Sequence, residues 1–146
     1  MKYLSNLFAI TLLFGFSACN SNAQTNSEAN TQKTAVVEVI DFHNTHRCMT
    51  CQTIEDKTKA ALQEKFPEAI AEGKLVFKTV NVDLEENYDI AADFEAAGTA
   101  LFVHTRKNAT SQKTDLTNFA FMNATSDNGK FEAGLVEEVE KALQQL

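Results

Sequence analysis

His43-Asn44-Thr45-His46-Arg47-Cys48-Met49-Thr50-Cys51-Gln52 is the stretch whose reading decides the fold. It packs two cysteines, two of the three histidines and an arginine into one short segment. The apolar, largely β-branched run Ala35 to Phe42 precedes it, and a helical pattern from Gln52 to Phe66 follows, with Ile54, Ala61, Leu62 and Phe66 on one side. A Cys-x-x-Cys between a strand and a helix is the sequence form of a thiol-disulfide redox site. Cys48 falls at the helix N-terminus, where the dipole and free backbone N–H groups favour a thiolate. Cys51, one turn on, is expected to face inward. Cys48 is then the nucleophile and Cys51 the resolving cysteine. Arg47 and protonated His46 are expected to add positive charge beside Cys48 and lower its pKa.

Downstream, Pro67 disturbs or ends the helix, and Glu68 to Glu72 adds a turn before Gly73. Leu75 to Val82 is expected as a strand, Glu86 to Ala97 as a helix stopped by Gly98, and Thr99 to Thr105 as a third strand. Arg106 to Gln112 reads as a polar turn, and Thr114 to Met122 as a fourth strand antiparallel to the third. After a break at Asn128-Gly129, Phe131 to Leu146 is an amphipathic helix with Leu135, Val136, Val139, Leu143 and Leu146 on one face. The order β-α-β-α-β-β-α implies an α/β fold, a four-stranded mixed sheet with helices on both faces.

Upstream, Lys2 and the apolar run Leu7 to Phe16, too short for a membrane span, read as an export signal. Phe16-Ser17-Ala18-Cys19 resembles the lipobox of bacterial lipoproteins, with Phe16 where Leu is usual. That resemblance implies a signal peptide over 1–18 and lipidation of Cys19, placing the chain in the bacterial cell envelope, lipid-anchored and facing the periplasm. Residues 19–33, rich in Asn, Ser, Thr, Gln and Ala, read as a flexible tether. The domain is expected over 34–146.

The chain of 146 residues carries a net charge of -7, and only Lys2 among its charged residues precedes Cys19. The acidic balance disfavours nucleic acid as a partner. A monomer is expected.

The element order resembles the thioredoxin fold over roughly Ala35 to Leu146. In that family a strand-end Asp-Phe precedes the active site, its buried Asp moving protons to and from the inner cysteine. Asp41-Phe42 matches by type, with spacing to Cys48 one residue longer; a plain turn Asp is the alternative. Arg47 stands where Trp is usual, and Met49-Thr50 where Gly-Pro is usual. Thr99 stands where the family has a cis-proline facing the site. The loop is therefore expected to be trans and differently shaped, which points away from general thioredoxin activity.

The string Phe42 to Cys51, continued by Gln52-Thr53-Ile54-Glu55, looks like a bacterial thioredoxin-like family identified as a nitrophenyl-compound nitroreductase subunit associated with arsenical resistance. Val80-Asn81-Val82 matches that family's second strand end. Nitro reduction normally needs a flavin or another carrier, and the chain has no Gly-rich dinucleotide fingerprint. The resemblance thus implies no cofactor of its own and electron transfer through Cys48 and Cys51 with a protein redox partner, a membrane thiol reductase being the natural electron source.

Two other readings stay open. Cys48, Cys51, His43 and His46 form a chemically complete set for zinc or copper. A structural disulfide is the second, though so small a ring stabilises little. His104 reads as a solvated or strand-end histidine. Met49 and Met122, the Glu pairs, and the glycosylation patterns at Asn108 and Asn123 carry little weight.

Overall fold

The structure, a computed structural model, describes residues 35–126 and 128–146. The expected signal segment, Cys19 and the tether lie outside the described residues.

Strand β1 (Val36–His43) is the centre of the sheet, and all its residues but His43 are buried. It runs parallel to β2 (Leu75–Asn81) on one side and antiparallel to β3 (Ala100–Lys107) on the other. β4 (Thr110–Asp115) pairs antiparallel with β3, giving the order β2-β1-β3-β4. A strand flanked on both edges and covered on both faces must be apolar nearly throughout, which is why Val-Val-Glu-Val-Ile-Asp-Phe lacks polar alternation.

On one face, Val37 and Val39 of β1 meet Ile54 and Leu62 of α1 (Met49–Lys65) and Phe131, Leu135 and Val139 of α5 (Lys130–Leu143). On the other, Ile40 and Phe42 pack with Phe102 and with Phe94 at the end of α3 (Tyr88–Asp93). Phe94 lies 5.3 Å from Phe42 and 5.1 Å from Phe102, ring centre to ring centre. The strand order, the parallel β1–β2 pair joined through α1, the β3–β4 hairpin and the closing helix make the fold thioredoxin-like, as the element order implied.

Between α1 and β2, Pro67 opens the short helix α2 (Pro67–Ala71) at its first position, where its missing N–H costs no hydrogen bond. The second crossover helix is shorter than expected. A 3-10 turn at Glu85–Asn87 leads into α3, which ends at Phe94 before the left-handed Glu95 (φ 53°).

The strand expected over Thr114 to Met122 is a correction. β3 continues through Arg106 and Lys107, the turn shrinks to Asn108-Ala109, and β4 occupies Thr110–Asp115. Asn108 takes the left-handed conformation (φ 56°) that a tight hairpin turn requires. The residues after it form a helix, α4 (Thr117–Asn123). Leu116, Ala120 and Ala124 are buried at four-residue intervals, the helical period, and the Asp115 carboxylate accepts from the Thr117 N–H at 2.7 Å to start the turn.

Gly134 on α5 lies against Phe119 of α4. A Cβ there would come within 2.3 Å of the Phe119 ring, which stacks on the fully buried Phe131 at 6.2 Å. Displacing the ring costs about 1–3 kcal/mol, more than the helix gain of about 1 kcal/mol from replacing glycine. Gly134→Ala is therefore expected to lower the denaturant midpoint. In a Phe119→Ala background the same change is expected to raise it. A midpoint that moves the same way in both backgrounds would refute the contact.

Candidate functional site

The site stands where β1 ends and α1 begins. The connecting loop is tied to the segment after β2 through Asp83, whose carboxylate accepts from the Thr45 N–H at 2.7 Å and from Asn44 Nδ2 at 3.0 Å. The Thr45 N–H bond, with those from the Asn44 and Thr45 side chains, holds Asp83 below the usual carboxylate range. Asn81 Nδ2 adds a 3.0 Å bond to Thr45 Oγ1.

Cys48 is the N-cap of α1, and its Sγ accepts from the Cys51 N–H at 3.3 Å. No acidic residue occupies the first turn of that helix to oppose a negative charge there. Cys48 is exposed, whereas Cys51 is 7% exposed. The two are joined by a disulfide with a Cα–Cα separation of 5.2 Å. The outward and inward placements expected of the two cysteines are those found.

Asp41 is completely buried on the α1 side of the sheet, and Arg47 Nη2 links it to the Cys51 carbonyl. Its Oδ2 accepts from Arg47 Nη2 at 3.0 Å, and its Oδ1 has no partner. Burial, the largest influence, pushes its pKa up to about 7; Arg47 works against this and Glu55 adds to it. Asp41 therefore has the buried environment that the resemblance implied.

Arg47 is turned inward, toward Asp41 and the first turns of α1. Nη2 also donates to the Cys51 carbonyl at 3.1 Å, and Nη1 bonds Glu55 Oε2. Its charge is thus shared between two carboxylates. Glu55 was not singled out from the sequence. The available signal was its position on α1, one turn after Cys51 and on the same side.

His43 is half-buried, its Nδ1 at 3.0 Å from the Asn44 carbonyl, and His46 is exposed. Among the described residues no group of three or more His, Cys, Asp or Glu side chains is placed to hold a metal ion. The set His43, His46, Cys48 and Cys51 is therefore not assembled here. Thr99 follows Gly98 through a trans peptide bond. That loop abuts the site loop, for a Cβ on Gly98 would lie 3.1 Å from Asn44 Oδ1.

His104 is a further correction. It is buried in β3, with Nδ1 at 3.1 Å from Glu38 Oε2 and Nε2 at 2.8 Å from Ser111 Oγ. Register explains this, since Glu38 and His104 are direct partners across β1 and β3. Burial lowers the pKa of His104. Burial acts to raise that of Glu38, but hydrogen bonds and charge from Lys78 and Arg106 outweigh it and hold Glu38 low. This network closes the polar half of the α3 side of the sheet and does not join the cysteine site.

No family model matches the chain, and no curated protein matches it. Among solved structures, the chain is similar to a protein described as "Structure of a malarial protein", with 16% identity over 60% of this chain and 93% of that one, TM-score 0.38. It is also similar to chloroplastic thioredoxin z, with 17% identity over 68% of this chain and 80% of that one, TM-score 0.38. The fold assignment rests on the strand order and pairing, not on these two likenesses.

Proposed function

We propose that this protein is a thiol-disulfide oxidoreductase that exchanges disulfides with a specific protein partner, acting at the bacterial envelope where lipid on Cys19 would hold it. The observation that carries the reading is the pairing of an exposed helix-capping Cys48 with a buried Cys51, whose carbonyl shares Arg47 with a buried carboxyl that titrates near neutrality.

In the reduced protein the Cys48 thiolate attacks one sulfur of a partner disulfide. A Cys48–partner disulfide forms, and the other partner sulfur leaves as a thiolate. Cys51 then gives its proton to Asp41 and attacks Cys48 Sγ. The Cys48–Cys51 bond re-forms and the second partner sulfur leaves. Two electrons have passed to the partner, which takes up two protons. A membrane thiol reductase would restore the dithiol. The finer role, an accessory subunit of a nitro-reducing system, is supported by the 42–55 string and by Val80-Asn81-Val82. It assigns to this chain electron delivery through Cys48 and Cys51, with the nitro chemistry on a partner's cofactor.

Cys51→Ser leaves the first step intact and removes the second. Cells expressing it, quenched in acid, are expected to hold a covalent adduct between Cys48 and a partner that dithiothreitol releases. No adduct across several growth conditions would overturn the partner assignment.

A further inference from the structure

Arg47 carries one positive charge and meets two carboxylates of unlike exposure. Asp41 is fully buried, while the Glu55 side chain keeps 25% of its surface at the solvent margin. The guanidinium spans from β1 to α1 and also holds the carbonyl of the resolving cysteine. We infer that Glu55, acting through Arg47, is a positioning residue that sets the pH at which Asp41 accepts the proton of Cys51, an inference that rests on the thiol-disulfide reading above.

A buried carboxyl beside an arginine serving it alone would be held ionised. Such a group is a poor acceptor for a thiol proton near neutral pH, because its basicity is too low. Glu55 changes this in two ways. It draws part of the guanidinium charge toward solvent, and it adds a second negative charge on the far side of Arg47. Both raise the proton affinity of Asp41. Burial alone acts in the same direction and is the larger influence, so Glu55 adjusts a value that burial makes high.

The other surroundings of Asp41 leave this control to one pair. The site loop contributes Arg47, and α1 contributes Glu55 and Cys51. At the level of Asp41, β2 and β3 contribute Thr79 and Leu101, neither charged. From α4 and α5 the core on this face receives Ala120, Phe131, Leu135 and Val139. Among the described residues, the charges acting on Asp41 are those of Arg47 and Glu55.

Two measurements test the inference. The first follows the carboxyl carbon of Asp41 by NMR in the oxidised protein as pH is varied. The second follows release of both thionitrobenzoate equivalents from Ellman's reagent by the reduced protein in stopped flow. The first equivalent reports attack by Cys48 and the second reports resolution by Cys51. In Glu55→Gln the Asp41 midpoint is expected to fall by about one pH unit. From a starting midpoint of about 7, that raises the ionised fraction at pH 6 about fivefold but makes the carboxylate a weaker base, so the second phase is expected to quicken by less than that factor at pH 6 and to slow about threefold at pH 8, where Asp41 is ionised in both proteins. Glu55→Asp keeps the charge and is expected to stay near the wild-type midpoint. An unmoved midpoint in Glu55→Gln, or an equal fall in Glu55→Asp, would overturn the inference. A second phase whose pH profile ignores Glu55 overturns it alone. Absence of a second phase in every variant at every pH overturns the redox reading with it.

Discussion

Asp41→Asn is expected to stabilise the oxidised protein at pH 8 by roughly 2–4 kcal/mol. In the unfolded chain this carboxyl titrates near 3.8, and in the folded protein near 7. The folded state therefore binds the proton more tightly. Between about pH 4 and pH 7 it holds more protons than the unfolded state, so stability falls as pH rises and levels off above 7. An amide carries no charge at any of these values and escapes the loss. Its oxygen still accepts from Arg47, which keeps Glu55 as its anionic partner. The gain from Asn should thus be largest at pH 8 and shrink toward zero by pH 4. Other titrating groups, Glu38 and His104 among them, act equally in both proteins and cancel in the difference. Denaturant titrations of the two proteins at pH 4, 6 and 8 measure it. A difference that is independent of pH, or an Asn variant less stable at pH 8, would refute the raised pKa. The same substitution is expected to slow resolution by Cys51, because the acceptor of its proton is gone. A charge that destabilises the fold and is nonetheless present is what a functional site looks like in energetic terms.

The residues legible in the sequence are those whose partners are near in the chain or whose burial is complete. β1 and α1 were readable because an unbroken apolar strand and a helical apolar stripe flank the cysteines directly. From these the exposed and buried roles of Cys48 and Cys51 followed without tertiary information. β4 was not readable, because Thr-Ser-Gln-Lys-Thr-Asp is an edge strand with no apolar alternation. Its apolar neighbours Leu116 and Phe119 to Phe121 then passed for strand, although their burial follows a helical period. His104 was misplaced for a different reason. Its partner Glu38 lies in another strand, and only the β1–β3 register brings the two side chains opposite each other. The inward turn of Arg47 was hidden for a related cause. A guanidinium next to a cysteine suggests electrostatic help for that cysteine. The stronger demand comes from a fully buried carboxylate, which must find a cation or stay protonated. Glu55 then completes the arrangement from the next turn of the helix.

Cys48→Ser is expected to abolish disulfide exchange, lowering its rate at least about a thousandfold, because a serine hydroxyl does not supply the thiolate that attacks. The stability cost should be small. A ring closed over so few residues contributes about 2 kcal/mol by the loop-entropy relation, and Cys51→Ser loses the same ring. The two variants should therefore be similarly stable and chemically opposite. In Cys51→Ser the remaining thiol is exposed at the start of a helix with no acidic residue in its first turn. In Cys48→Ser the remaining thiol is the buried Cys51. Iodoacetamide is expected to modify the first at least about a hundredfold faster than the second, since thiolate fraction and access both favour Cys48. A disulfide that served only as a staple gives no reason for that asymmetry in reactivity, and none for a buried acid joined to Cys51 through Arg47. Equal alkylation rates in the two variants would remove the distinction between nucleophile and resolving cysteine on which the exchange mechanism depends.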